Sequence, residues 1–399
     1  MNDTQNFKNI VDNIFQESID IPNSDNSNNC IGALNNDNNF IVFKQNFIER
    51  LKRIYTYFSH DDGTIQNLKN TVRTIAFTKG YKWSGPYSEL VALDFWIHYE
   101  NLMNMQYVHK GDVNNFEDSI AKRIGQKEID LDISFDMGHQ KIFMDVKSLI
   151  PTHLELVDNI LETLKRKTDE KDYLIGIDDL FEVDYLQTKK DYIYELRSGD
   201  LIDKLLHAIE TKSTYYNHTL QSGEVAKFRI AYAKPGSNTV LSTMRTMNPY
   251  RLAIDYKYKV LDYFNKLLIC KPSFILFVAN PWFNKEMNDF SAFNETFYRA
   301  LSRRVFIELT KKADDMGLYY PELSGKGLKI CDIASLVSGL IFIDDKSVMH
   351  TGEEQYKAYI YTNPNAKNSY IRKHDFDILS WSPSLIQPSV IEDFIHDNY

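Results

Sequence analysis

The chain is predicted to be an α/β protein: a mixed β-sheet flanked by helices, with a helical N-terminal layer and a C-terminal α+β extension. Three observations carry that expectation. Glu128–Lys147 alternates apolar and polar residues with period two on both sides of a break at Gly138, as the two strands of a hairpin do. Ser273–Ala279 is an unbroken apolar run, which suits a strand buried on both faces. Elsewhere apolar residues recur mostly at helical spacing.

Residues 1–40 are rich in asparagine and aspartate, most densely over Asn23–Asn39, and read as a flexible or irregular segment with a short helix around Phe7–Phe15. Residues 41–285 read as the core. Ile41, Phe43, Phe47, Leu51, Ile54 and Phe58 trace one helix. Ile65, Leu68, Val72 and Ile75 trace a second, after Asp62-Gly63. Gly85-Pro86 opens a helix over 87–103, since proline suits a first turn. On it Glu89, Ala92, Leu93 and Trp96 share a stripe, which turns Glu89 inward, where a carboxylate needs a partner. Beyond the hairpin, Pro151 marks a loop, and a helix through Leu154, Val157, Ile160, Leu161 and Leu164 ends on Lys165-Arg166-Lys167. Residues 172–225 read as an insertion with a helix near Leu201–Thr211. Lys227–Ala233, a helix over Pro249–Cys270 and Ser273–Ala279 form a strand–helix–strand crossover that would complete the sheet begun by the hairpin. Residues 286–399 form the extension: a helix over Asn294–Met316, then strands at Gly339–Ile343 and Tyr356–Tyr361.

The hairpin carries the chemistry. With Gly138 and His139 in the turn, Ile129, Leu131, Ile133 and Phe135 share an apolar face with Ile142, Met144 and Val146. A slip of one residue would destroy that sorting, so the register is well specified. The other face then sets Asp132 directly opposite Asp145, a like-charge pair that destabilises a sheet unless something positive joins it. Lys147 is one step along on the same face. Two carboxylates and a lysine so gathered suit phosphodiester hydrolysis: a metal ion polarises the phosphate and activates water, and the lysine orients that water or stabilises developing charge. Asp130 would face Lys147, with a salt bridge as its plainer reading. His139 is simply a turn residue. Asp94 is a lesser candidate on another helix face.

Asp132, thirteen residues, then Asp145-Val146-Lys147 resembles the Asp…(Asp/Glu)-x-Lys motif of the PD-(D/E)XK nuclease superfamily, the restriction-endonuclease-like fold. Glu89 matches the acidic residue that many members add from a preceding helix. Leu131 stands where the family often has proline, and Asp145 where glutamate is commoner. The resemblance covers residues ~80–150 and extends more loosely to ~280. It implies Mg²⁺, or Mn²⁺ in its stead, on Asp132 and Asp145 with help from Glu89, and Lys147 beside the attacking water. It also implies DNA as the substrate and restriction or anti-phage defence as the setting.

Charge and composition bound the rest. A net charge of −9 argues against a protein that coats nucleic acid nonspecifically and requires a local basic surface. Arg299 and Arg303, four apart on one helix, are the best candidates for DNA-backbone contact, with Lys165 and Lys167 behind them; solvated faces are the plainer reading. RNA is an alternative substrate, because these residues do not separate the two nucleic acids. One site per chain cutting two strands favours a homodimer, and a non-catalytic binding subunit of a larger defence or repair complex is the competing reading. Cys30, Cys270 and Cys331 make neither a zinc pattern nor a disulfide framework. No signal peptide, membrane span, phosphate loop or serine-nucleophile elbow is visible, so a cytoplasmic location is expected.

Overall fold

The structure is a computed structural model. It describes residues 7–21, 29–35, 40–78, 82–98, 102–108, 110–116, 119–150, 152–168, 173–177, 185–232, 242–243, 248–284, 291–311, 320–363 and 365–368. Two compact units divide the chain: residues 1–149 with 260–399, and residues 150–259.

The first unit begins with α1 (Phe7–Phe15), α2 (Asn29–Asn35), α3 (Ile41–Tyr57), α4 (Asp62–Phe77) and α5 (Ser84–Ile97). The chain then forms β1 (Leu102–Tyr107), β2 (Lys110–Asp112), α6 (Ile120–Arg123), β3 (Glu128–Asp130), β4 (Ile133–Met137) and β5 (Gln140–Ser148). The second unit holds α7 (Thr152–Lys167), β6 (Tyr173–Ile177), α8 (Tyr185–Ser198), α9 (Asp200–Glu210), β7 (Tyr215–Thr219), β8 (Val225–Tyr232), β9 (Ser242–Thr243) and most of α10 (Pro249–Leu261). The first unit resumes with β10 (Ser273–Ala279), α11 (Ser291–Lys311), α12 (Ile330–Ala334), β11 (Gly339–Asp345) and β12 (Tyr356–Thr362).

The main sheet runs β1-β4-β5-β10-β11-β12. Its centre, β5, β10 and β11, is parallel, and the outer pairings are antiparallel. Every residue of β10 and β11 is buried, as the apolar run over 273–279 requires. Helices cover both faces. Trp96 of α5 meets Phe135 at 4.9 Å, on the face of Ile142, Met144 and Val146. On the other face Tyr298 of α11 stacks on Phe342 at 4.4 Å, and Phe342 on Phe277. The fold is therefore α/β with a mixed sheet and flanking helices.

Some expectations change. Asn29–Asn35 is helical rather than irregular, because Cys30, Ile31, Ala33 and Leu34 are buried. Gly339–Asp345 and Tyr356–Thr362 are strands of the main sheet, not parts of a separate extension. The strand expected at Lys227–Ala233 exists as β8 but pairs with β6 and β7 in a second sheet, so it does not complete the first.

The helical layer is joined to the sheet by a buried charge network. Arg50 of α3 donates to the Tyr87 hydroxyl (2.9 Å), the Tyr356 hydroxyl (3.0 Å) and Asp345 (3.1 Å). Arg53 grips Asp94 of α5 with two bonds of 2.8 Å, and Tyr356 donates to the same carboxylate. Asp94 thus serves packing rather than the candidate site. Removing one partner of a buried pair leaves the other uncompensated, so Arg50→Ala is expected to cost about 3–5 kcal/mol in urea denaturation. Burial opposes the charge on Asp94, but Arg53 and Arg50 outweigh it and hold its carboxyl below the ordinary 3.8. Its contribution to stability is therefore whole above about pH 3.8 and is lost as pH falls through the lower folded value. Asp94→Asn is expected to remove that part of the acid sensitivity in a stability–pH series.

Candidate active site

The hairpin has the expected register: Ile133 pairs with Met144, Phe135 with Ile142 and Met137 with Gln140. Gly138 supplies the positive φ (60°) that begins a two-residue turn. The residues expected on the apolar face, Ile129 to Phe135 and Ile142 to Val146, are all buried.

The first strand, however, is not continuous. Glu128–Asp130 pairs with Lys110–Asp112 as a separate ribbon, and β4 starts only at Ile133. Asp130 accordingly lies opposite Lys110 and forms an ion pair with Lys266 at 2.9 Å, not with Lys147. At Asp132 the chain peels away from β5. β5 continues, paired on its other edge with β10 from Phe143 to Ser148. The Val146 N–H therefore has no ladder partner from β4, and Asp132 Oδ2 accepts it instead, at 2.7 Å. The opposed pair inferred from the pattern is thus a fork: Asp132 reaches across with its side chain rather than standing in the ladder.

The fork gathers the four candidate side chains. Asp145 is fully buried and Asp132 is 7% exposed. Lys147 donates to Asp145 Oδ1, and its ammonium sits 5.5 Å from the Tyr263 ring centre. Glu89, half-buried on α5, accepts from the Tyr107 hydroxyl, which also meets Thr71 Oγ1. Tyr107 and Tyr263 carry no sequence signal, since aromatic residues outside a motif do not mark a site. Burial pushes the Asp132 carboxyl well up, and the charges of Glu89 and Asp145 add to this against Lys147 and the Val146 N–H. Burial also raises Asp145, despite its ion pair with Lys147. Burial disfavours the Lys147 ammonium, but Asp145 and Asp132 outweigh it, so the lysine stays protonated.

These groups suit a divalent cation. The donors are carboxylate oxygens, the kind Mg²⁺ and Mn²⁺ take. Asp145 Oδ2 is buried and accepts no hydrogen bond among the described residues, an orphan that a cation would satisfy. The set is not a closed cage. Among the described residues, the one trio of ligand-type side chains with all its ligand atoms within 4.8 Å is Glu195, Asp200 and His218, on the second unit. The three carboxylates Glu89, Asp132 and Asp145 are spread more widely than that trio.

The expected nucleic-acid contacts fare less well. Arg303 is 5% exposed, packed into the first unit, and cannot form a surface patch with half-buried Arg299. Lys165 and Lys167 are exposed on α7, and Lys167 pairs with Asp203 at 3.3 Å. No described helix is long and apolar enough to cross a membrane. No family model, curated protein or solved structure matches the chain.

Asp132→Asn keeps an acceptor for Val146 while removing a charge from a crowded cluster. In EDTA it is expected to be at least as stable as the wild type. Asp132→Ala strands the N–H and should be less stable than the asparagine variant by about 1–3 kcal/mol, read from paired urea titrations.

Proposed function

We propose that the chain is a metal-dependent endonuclease of the PD-(D/E)XK kind, with a restriction-endonuclease-like core, that hydrolyses DNA phosphodiester bonds. One observation carries the reading: Asp132, Asp145 and Lys147 meet where β4 leaves β5, and Glu89 couples to them from α5.

Asp132 and Asp145 would hold a divalent ion such as Mg²⁺ or Mn²⁺, with Glu89 assisting as a ligand or through a water. When bound, the ion polarises the scissile phosphate and lowers the pKa of a bound water. The chain's own groups do the rest. The Val146 N–H fixes the Asp132 carboxylate in place, so no reorganisation is needed to present it. Tyr107 orients Glu89. Lys147, protonated, is a hydrogen-bond donor and not a base. Its ammonium can leave Asp145 Oδ1 to stabilise charge developing on the phosphate or to orient the attacking water.

Supercoiled plasmid incubated with the protein is expected to be nicked in Mg²⁺ and left intact in EDTA. Lys147→Ala and Asp132→Asn, each checked for folding, should slow cleavage by at least on the order of 10²–10³-fold. Undiminished cutting by either variant removes the site. A wild-type chain that binds Mg²⁺ yet cuts neither DNA nor RNA supports the non-catalytic reading instead.

A further inference from the structure

The second unit holds a cluster that the nuclease reading does not use. α8 and α9 are joined through Gly199, whose left-handed backbone (φ 79°) turns the chain sharply. That turn brings Asp200, the first residue of α9, back beside Glu195 in the last turn of α8. β7 contributes His218, the one fully buried residue on a strand whose other four are exposed or half-exposed. The imidazole Nδ1 is 3.1 Å from the Tyr216 hydroxyl. In the neutral ring with Nδ1–H donating to Tyr216, the Nε2 lone pair points at Glu195, the outer-shell arrangement that metal-ligating histidines favour.

We propose that Glu195, Asp200 and His218 form a binding site for a first-row divalent transition ion, Zn²⁺ foremost, which pins the α8–α9 corner to β7. Three features carry it. First, the ligand atoms of the three residues lie within 4.8 Å of one another. Second, His218 Nε2 is buried and makes no hydrogen bond among the described residues, which an unoccupied acceptor or donor would do at a cost. Third, Nε2 stands 3.4 Å from Glu195 Oε2. That is long for an N–H···O bond, whose usual length is about 2.9–3.0 Å. It matches the separation of two ligands on one tetrahedral ion, about 3.4 Å for metal–ligand bonds of about 2.0–2.2 Å.

The donor set decides the class of ion. A nitrogen ligand with two carboxylates suits Zn²⁺ and its neighbours and disfavours Mg²⁺, which takes oxygen. Three protein ligands leave a fourth position to water. Lys204 pairs with Asp200 Oδ2 at 2.9 Å. None of these residues belongs to the fork at β4 and β5, so the site stands or falls independently of the nuclease reading.

The test uses the full chain stripped of metal. Zn²⁺ is titrated calorimetrically, Co²⁺ is followed by its visible four-coordinate bands, and melting is recorded for each. The wild type should bind Zn²⁺ and melt higher. Asp200→Asn, at an exposed position that does not endanger folding, and His218→Gln should each weaken binding by at least about 10–100-fold, the loss that even an outer-shell partner causes. Glu210→Gln, at an exposed position on α9 outside both clusters, should leave it unchanged. No Zn²⁺ binding by the wild type overturns the proposal, as does equal binding by wild type and Asp200→Asn. Loss of binding in Asp145→Asn alone would assign the ion to the fork and overturn it equally.

Discussion

A buried backbone N–H must find an acceptor, and at Val146 the sheet itself does not offer one. β4 has already departed, while β5 runs on beside β10. Leaving that donor unpaired would cost about 1–3 kcal/mol. The Asp132 carboxylate answers the need, and doing so brings an acid into the interior next to a second, Asp145. Buried acids in turn demand positive partners, which is why Lys147 lies against Asp145 rather than extending into solvent. The candidate chemistry thus grows from a gap in a hydrogen-bond ladder.

The chain holds a second buried charged system, and the contrast is informative. Around Arg50, two aspartates (Asp94 and Asp345) face two guanidinium groups, with tyrosine hydroxyls filling the remaining lone pairs. Formal charge there is balanced, and its use is to bind helices to the sheet. At the fork, three carboxylates face one ammonium. A surplus of one sign inside a protein is expensive to maintain, and it sets the fork apart from the balanced Arg50 network as a candidate functional site.

Much of this was readable from residue order because local pattern fixes local geometry. Alternation set the hairpin register to the residue, and the unbroken apolar run over 273–279 marked a strand buried on both faces. What failed was partnership. The alternation of Glu128–Phe135 continues without interruption through Leu131-Asp132, so nothing in it announces that the first three residues pair with Lys110–Asp112. β8 lies outside the sheet its pattern suggests for the same reason: a strand's pattern says which face is wet, not which neighbour it has. Arg303 looked solvated because arginine usually is, yet α11 is covered over much of its circumference. Glu195, Asp200 and His218 come from two helices and a strand at no metal-ligand spacing; the glycine between the first two was the one local hint of their approach.

The parallel centre of the sheet has a kinetic consequence. β5 ends at Ser148, and β11, two strands over, does not begin until Gly339. At a ribosome's usual pace, roughly 190 residues of synthesis separate them by about 10–40 s. Until β10 emerges from Ser273 the outer edge of β5 has no permanent neighbour, and β10 in turn waits for β11; pairings so distant in sequence form slowly even once complete. Nascent chains of this protein should therefore be clients of holding chaperones until the last strands emerge from the exit tunnel.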